Sequence, residues 1–137
     1  MEVQSILVNS VQQTLRFSNL GGEEQVFSIA TAKNGLGEVF GSECTPRGRH
    51  YIRAKIGGGE NKHAIFKSRR PTSECYDPYA TPMEQHDWIL GRILWLCGLD
   101  QGVNRGGIVD TMRRYIYIHG SPDHMITGVP SSKGCIR

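Results

Sequence analysis

The stretch PMEQHDWILGRILWLCGLD, Pro82–Asp100, decides the fold class, because it is the only good helix candidate in the chain. Thr81 stands before Pro82 as an N-cap, with proline at the first helical position and Glu84 at the third. Trp88, Ile89, Leu90, Ile93, Leu94, Leu96 and Cys97 supply a broad apolar face, and Gly98 is the expected stop. Trp88 and Trp95 stand seven apart, which is a core spacing on a helix. The expectation is one substantial helix over this stretch.

Working outward, the rest reads as strands and turns. EVQSILVN and VQQTLRFS are rich in β-branched and apolar residues with partial alternation, so they read as two strands. NLGGEE is a turn before a third strand, QVFSIATA, and KNGLGEVFGSE is a glycine-rich loop. TPRGRHYIRAKIG reads as a turn set by Pro46 and Gly48, then a strand. GGGENK is a loop that lacks the GxGxxG spacing of a phosphate cradle. KHAIFKS is a short strand, Arg69 to Pro82 reads as a surface loop, QGVNRGGIVDT as a loop, and MRRYIYIH as the last strand. Several strands with one helix imply a mainly β domain, a β-sandwich or a mixed sheet.

The 137 residues are one domain by length, 1–137, and suffice for a hydrophobic core. A net charge of +3 without a dense Lys/Arg run gives no nucleic-acid signature. Cys44, Cys75, Cys97 and Cys135 permit two disulfides by count, in three pairings, but resemble no disulfide scaffold, and without a CxxC they do not have the spacing of a zinc ribbon. No apolar stretch approaches the ~20 residues of a membrane span. The N-terminus lacks the basic and apolar regions of a signal peptide, which places the chain as written in the cytoplasm.

The chemistry-bearing stretch is the end, YIYIHGSPDHMITGVPSSKGCIR, Tyr115 to Arg137, where His119 and Cys135 stand sixteen apart. A catalytic cysteine needs a base or a cation beside it, and His119 at the end of a strand is the natural partner. The pair would rest largely as imidazolium and thiolate. The carbonyl of Gly120 could orient the imidazole. The amides of Lys133, Gly134 and Cys135 could form an oxyanion hole, with Ser132 bracing the loop. Lys133 or Arg137 could hold thiolate charge or a substrate carboxylate, and Arg105 and Arg114 are further candidates for the carboxylate. A metal site on His119, His124 and Cys135 is set aside, because neither CxxC nor HxxxH spacing is present.

These residues resemble the active-site signature of the L,D-transpeptidases, the YkuD type: a His, a gap, then Ser/Thr-His-Gly-Cys-apolar-Asn/Arg. The matching positions are His119, Ser132, Gly134, Cys135, Ile136 and Arg137. Upstream, ILVNSVQQTLRF, IATAKNGLGEVFGSECTPRGRHYI and RRPT are similar to the family's opening strands and its Thr-Pro-x-Gly turn. ILGRILWLCGLDQGVNRGG and DTMRRYIYIHG are similar to compact Gram-negative members. The resemblance implies a cell-envelope enzyme, without a cofactor, that acts on peptidoglycan stem peptides and serves cell-wall biogenesis and cell shape. Cys135 would attack the L-centre carbonyl and form a thioester. His119, oriented by the carbonyl of Gly120, would serve as base, and the acyl group would pass to an amine in a 3→3 cross-link or to water. Carbapenems would acylate the thiol. A catalytically silent peptidoglycan-binding module is the alternative. Two departures stand out: Lys133 replaces the usual His, and the chain stops at Arg137, ahead of the family's usual last elements. The expectation is therefore a C-terminally truncated domain whose last residues fray.

Overall fold

A computed structural model describes residues 3–79 and 87–137. It is built on two antiparallel sheets. The first is a meander of β1 (Val3–Asn9), β2 (Thr14–Asn19) and β3 (Glu24–Ser28) in that order. The second holds β4 (His50–Ile56), β5 (Ala64–Lys67), β6 (Arg70–Cys75), β7 (Ile89–Gly98) and β8 (Tyr117–Gly120). Its path runs β4-β7-β5-β6, and β8 also pairs with β7. Among the described residues the only helical segments are three 3₁₀ turns of three residues each.

The helix expected over Pro82–Asp100 is therefore corrected: residues Ile89–Gly98 form β7, the central strand of the larger sheet. The expected cap at Thr81, Pro82 and Glu84 falls outside the described residues. The correction has a physical cause. β7 is paired along both edges and covered on both faces, and such a strand reads as a continuous apolar run rather than an alternating one. Its parity survives in the packing. Leu96 joins a core cluster with Leu15, Ile29, Ile116 and Ile136, between the two sheets. Ile93 and Trp95 turn the other way, into a cluster with Ala64, Phe66 and Tyr117 on the opposite face.

β7 also changes partner along its length. Gly98 to Ile93 pair with β4, whereas Leu90 and Ile89 pair with β5. Between them Gly91 has φ +78°, a conformation that L side chains rarely adopt, and a Cβ there would lie 2.5 Å from the Lys62 carbonyl oxygen. β8 lies along the other edge, from Leu90↔Gly120 to Trp95↔Tyr117.

Two smaller expectations change as well. Residues Arg70–Cys75, read as loop, form edge strand β6, where Pro71 is tolerated because an edge position need not donate to a ladder. The segment MRRYIYIH is a strand only in its second half. Met112–Arg114 is a 3₁₀ turn closed by Tyr115 in the left-handed region at φ 55°.

Candidate active site

β8 fixes His119, and the chain end is stitched onto β8 as a short parallel partner. Ile136 donates its N–H to the Tyr117 carbonyl at 2.8 Å and accepts from the His119 N–H at 3.0 Å. The other side of this segment is held by residues 30–33. Arg137 and Ala30 exchange two backbone bonds of 3.0 Å, and the N–H groups of Ser131 and Ser132 both donate to the Thr31 carbonyl. Ile136 and Arg137 are buried. The expected fraying is thus corrected, because a segment paired on both sides has no free backbone to release.

The bridge Ile118↔Ile136 sets the faces. Ile118 and Ile136 point into the core between the sheets. Side chains alternate along strands, so Tyr117, His119, Cys135 and Arg137 share the opposite face. Cys135 lies level with Tyr117, one diagonal step from His119, a Cα separation of ~7–8 Å in sheet geometry.

The Cys135 thiol accepts the Tyr117 N–H at 3.3 Å and points at the Tyr115 carbonyl at 3.5 Å. Among the described residues no hydrogen bond joins it to His119. The thiol is pushed up to about 11, chiefly by burial and also by Asp87, against the Tyr117 N–H and the charges of Arg137 and Arg114, which pull it down. Burial also lowers His119, against the Gly120 carbonyl and Asp87, which raise it. Burial disfavours both charged forms and so works against the expected imidazolium–thiolate pair.

His119 Nδ1 lies 2.8 Å from the Gly120 carbonyl oxygen. A carbonyl only accepts, so Nδ1 carries the hydrogen and Nε2 keeps its lone pair. This is the tautomer of a general base. The Gly120 carbonyl is thus the partner of the ring on its Nδ1 side.

The loop carrying the thiol is built around Ser132. Its hydroxyl donates to the Cys135 carbonyl at 2.5 Å and accepts from the Gly134 N–H at 3.1 Å. The Gly134 amide is consequently occupied, and it drops out of the expected oxyanion trio; the amides of Lys133 and Cys135 have no acceptor among the described residues. Ser132 is a brace rather than a substrate contact. Gly134 has φ +131°, and a Cβ there would meet Ile116 Cδ1 at 3.0 Å and the Cys44 carbonyl oxygen at 3.2 Å. Thr45 closes the arrangement. Its hydroxyl donates to the Gly134 carbonyl at 2.9 Å and accepts from the Ala32 N–H at 2.9 Å.

The arginines divide differently from expectation. Arg137 is buried, and its guanidinium pairs with Asp87 at 2.6 Å and reaches the Ser131 hydroxyl at 3.4 Å. Arg114 donates to the carbonyls of Cys44 at 2.6 Å and Gly37 at 3.2 Å. Both hold structure together, and their charge reaches the thiol only through space. Arg105 sits in the loop after β7, its carbonyl bonded to the Gly102 N–H, with no bond to the Cys135 loop. Lys133 is exposed beside the thiol loop, and His124 is exposed in the 3₁₀ turn after β8. Sequence reasoning missed Asp87, Thr45 and Arg69. Only Thr45 left a signal, as the first residue of the Thr-Pro-x-Gly turn.

A family model for the YkuD L,D-transpeptidase catalytic domain matches residues 4–137. Comparisons with curated proteins and with solved structures each returned no match. The match spans both sheets, β8 and the Ser132–Arg137 loop, all built as described above. The chain belongs to the YkuD family of L,D-transpeptidase catalytic domains.

Proposed function

We propose that this protein is a peptidoglycan L,D-transpeptidase that works through a thioester on Cys135. One observation carries the reading: the thiol shares a sheet face with a histidine whose Nδ1–H is fixed on the Gly120 carbonyl, leaving Nε2 as acceptor. The steps follow from neutral partners. Cys135 Sγ attacks the L-centre carbonyl of a stem peptide while its proton passes to His119 Nε2. The open amides of Lys133 and Cys135 receive the developing oxyanion. The intermediate collapses, the amine of the terminal D-residue leaves with the proton from His119, and a thioester remains. An acceptor amine, or water, then attacks the thioester, gives its proton to His119, and releases the thiol. An amine gives a 3→3 cross-link, and water gives L,D-carboxypeptidase activity.

Substrate class and place of action, the cell envelope, follow from the family. Among the described residues no helix is long and apolar enough to cross a membrane. Incubation with a carbapenem followed by intact-mass measurement tests the reading. One adduct is expected on the wild type and none on Cys135→Ala. The absence of an adduct on the wild type, or an equal adduct on the variant, would sink it.

The second reading, a silent peptidoglycan-binding module, is favoured by the neutral thiol and by the absence of a His119–Cys135 bond. Binding to sacculi without stem-peptide turnover, with a Cys135 that a carbapenem does not label, would decide for it.

A further inference from the structure

We infer that Arg69 is a substrate-positioning residue, which holds a carboxylate of the donor stem peptide beside Cys135; the inference deepens the acyl-transfer reading and rests on it. Arg69 occupies the tight turn between β5 and β6, where Lys67 pairs with Arg70. Its guanidinium carbon lies 4.7 Å from the centre of the Tyr115 ring and 5.3 Å from that of Trp95. Nη1 donates to the Tyr117 hydroxyl at 2.9 Å. Two aromatic rings and one tyrosine hydroxyl therefore hold the cation in place.

Those aromatics are the surroundings of the thiol. Cys135 packs in the same cluster as Trp95 and Tyr117. The Tyr117 N–H holds Sγ at 3.3 Å, and the opposite end of the same residue holds Arg69. Thiol and guanidinium thus stand at the two ends of one tyrosine residue.

The two arginines whose charge acts on the thiol are already engaged. Arg137 is paired with Asp87, and Arg114 is occupied by carbonyls. Arg69 has no carboxylate partner among the described residues, and of its five donors one is used. Arg53, over the Trp95 ring at 5.7 Å, adds a further positive charge. A pre-oriented planar guanidinium with open donors is a fork for a carboxylate. A stem peptide offers two near the attacked carbonyl, that of the terminal D-residue and that on the diaminopimelate side chain.

Calorimetric binding of a stem tetrapeptide to Cys135→Ala tests the inference without chemistry. In that background, Arg69→Gln is expected to weaken binding about 10- to 100-fold, the value of a charge-assisted bond. Arg69→Lys should restore part of the loss, and Tyr117→Phe, which frees the guanidinium from its orienting hydroxyl, should cost less than Arg69→Gln. Two peptides, each amidated at one carboxylate, identify the group: for the one lacking the bound carboxylate, Arg69→Gln should cost nothing more. On the active chain, Arg69→Gln should raise KM for the acid peptide more than it lowers kcat. No binding to Cys135→Ala, an unchanged Kd in Arg69→Gln, or an equal loss for all three peptides would overturn the subsite. The carbapenem adduct on Cys135 does not depend on these results, so failure of the subsite and failure of the acyl-transfer reading are separable.

Discussion

Cys135 should be a slow thiol toward a small alkylating agent, and the size of the effect follows from its surroundings. With the thiol pushed up to about 11, roughly 3 parts in 10,000 are ionised at pH ~7.5. A free thiol with pKa ~8.5 is ionised to roughly 1 part in 10. The ratio is about 300. Per thiolate, reactivity rises with basicity at a Brønsted slope of ~0.4–0.5, which returns about tenfold over 2.5 units. The expected net is a rate constant about 30-fold below that of a free thiol, before any shielding. Iodoacetamide labelling, quenched at intervals and resolved by peptide mass, separates Cys135 from Cys44, Cys75 and Cys97. The logarithm of the rate should climb with unit slope to pH ~10 without levelling. A plateau below pH ~9, or a neutral-pH rate above that of the free thiol and lost in His119→Ala, would refute the burial argument and restore an ion pair.

Thr45→Val keeps the shape but removes the hydroxyl between the Gly134 carbonyl and the Ala32 N–H. Two buried polar groups lose their partner, so chemical denaturation should show a loss of about 2–4 kcal/mol, with slower carbapenem acylation. Gly134→Ala puts a Cβ at φ +131° against Ile116 and the Cys44 carbonyl. A cost of about 1–3 kcal/mol is expected, with acylation reduced at least tenfold; wild-type acylation kinetics would refute the tight fit. Asp87→Asn leaves the Arg137 guanidinium buried without its counter-ion. The cost should be about 2 kcal/mol, below the usual 3–5 for a fully buried pair, because the Asp87 side chain is 44% exposed. Asp87 raises the thiol, so the same variant should alkylate faster at Cys135; a slower rate would refute the assigned direction. Stability should also fall as pH rises from ~9 to ~11, since the unfolded thiol ionises first. The span of about 2 units corresponds to ~3 kcal/mol, and the fall should be smaller in Cys135→Ala.

The sequence makes the strand-rich class readable, because β1, β2, β4 and β5 carry β-branched residues between turn signals. It misleads at β7, where period is uninformative: a strand buried on both faces and a buried helix are both apolar throughout. Two local signs point to a strand. Ile89, Ile93 and Trp95 are strand formers, and Gly91 interrupts the run at the point where β7 exchanges β4 for β5. The positive φ of Gly91 is unreadable before the fold exists. In the site, His119, Gly120 and Cys135 are legible through a motif that is local at both ends. Asp87, Arg69 and Trp95 are not, since each reaches the thiol only through strand pairings far apart in the chain.

The electrostatics of the site constrain its mechanism more than its residue list does. Burial lowers His119 and pushes the thiol up to about 11, so both shifts oppose moving the proton from Sγ to the imidazole before substrate arrives. Proton transfer must then accompany carbon–sulfur bond formation, when the negative charge leaves sulfur for the carbonyl oxygen and the open amides of Lys133 and Cys135 can receive it. On this logic a substrate that is badly placed gains nothing from a thiol this basic. The residues that orient the donor peptide should therefore affect acylation as strongly as those that touch the proton, and a poor electrophile should leave Cys135 untouched at neutral pH.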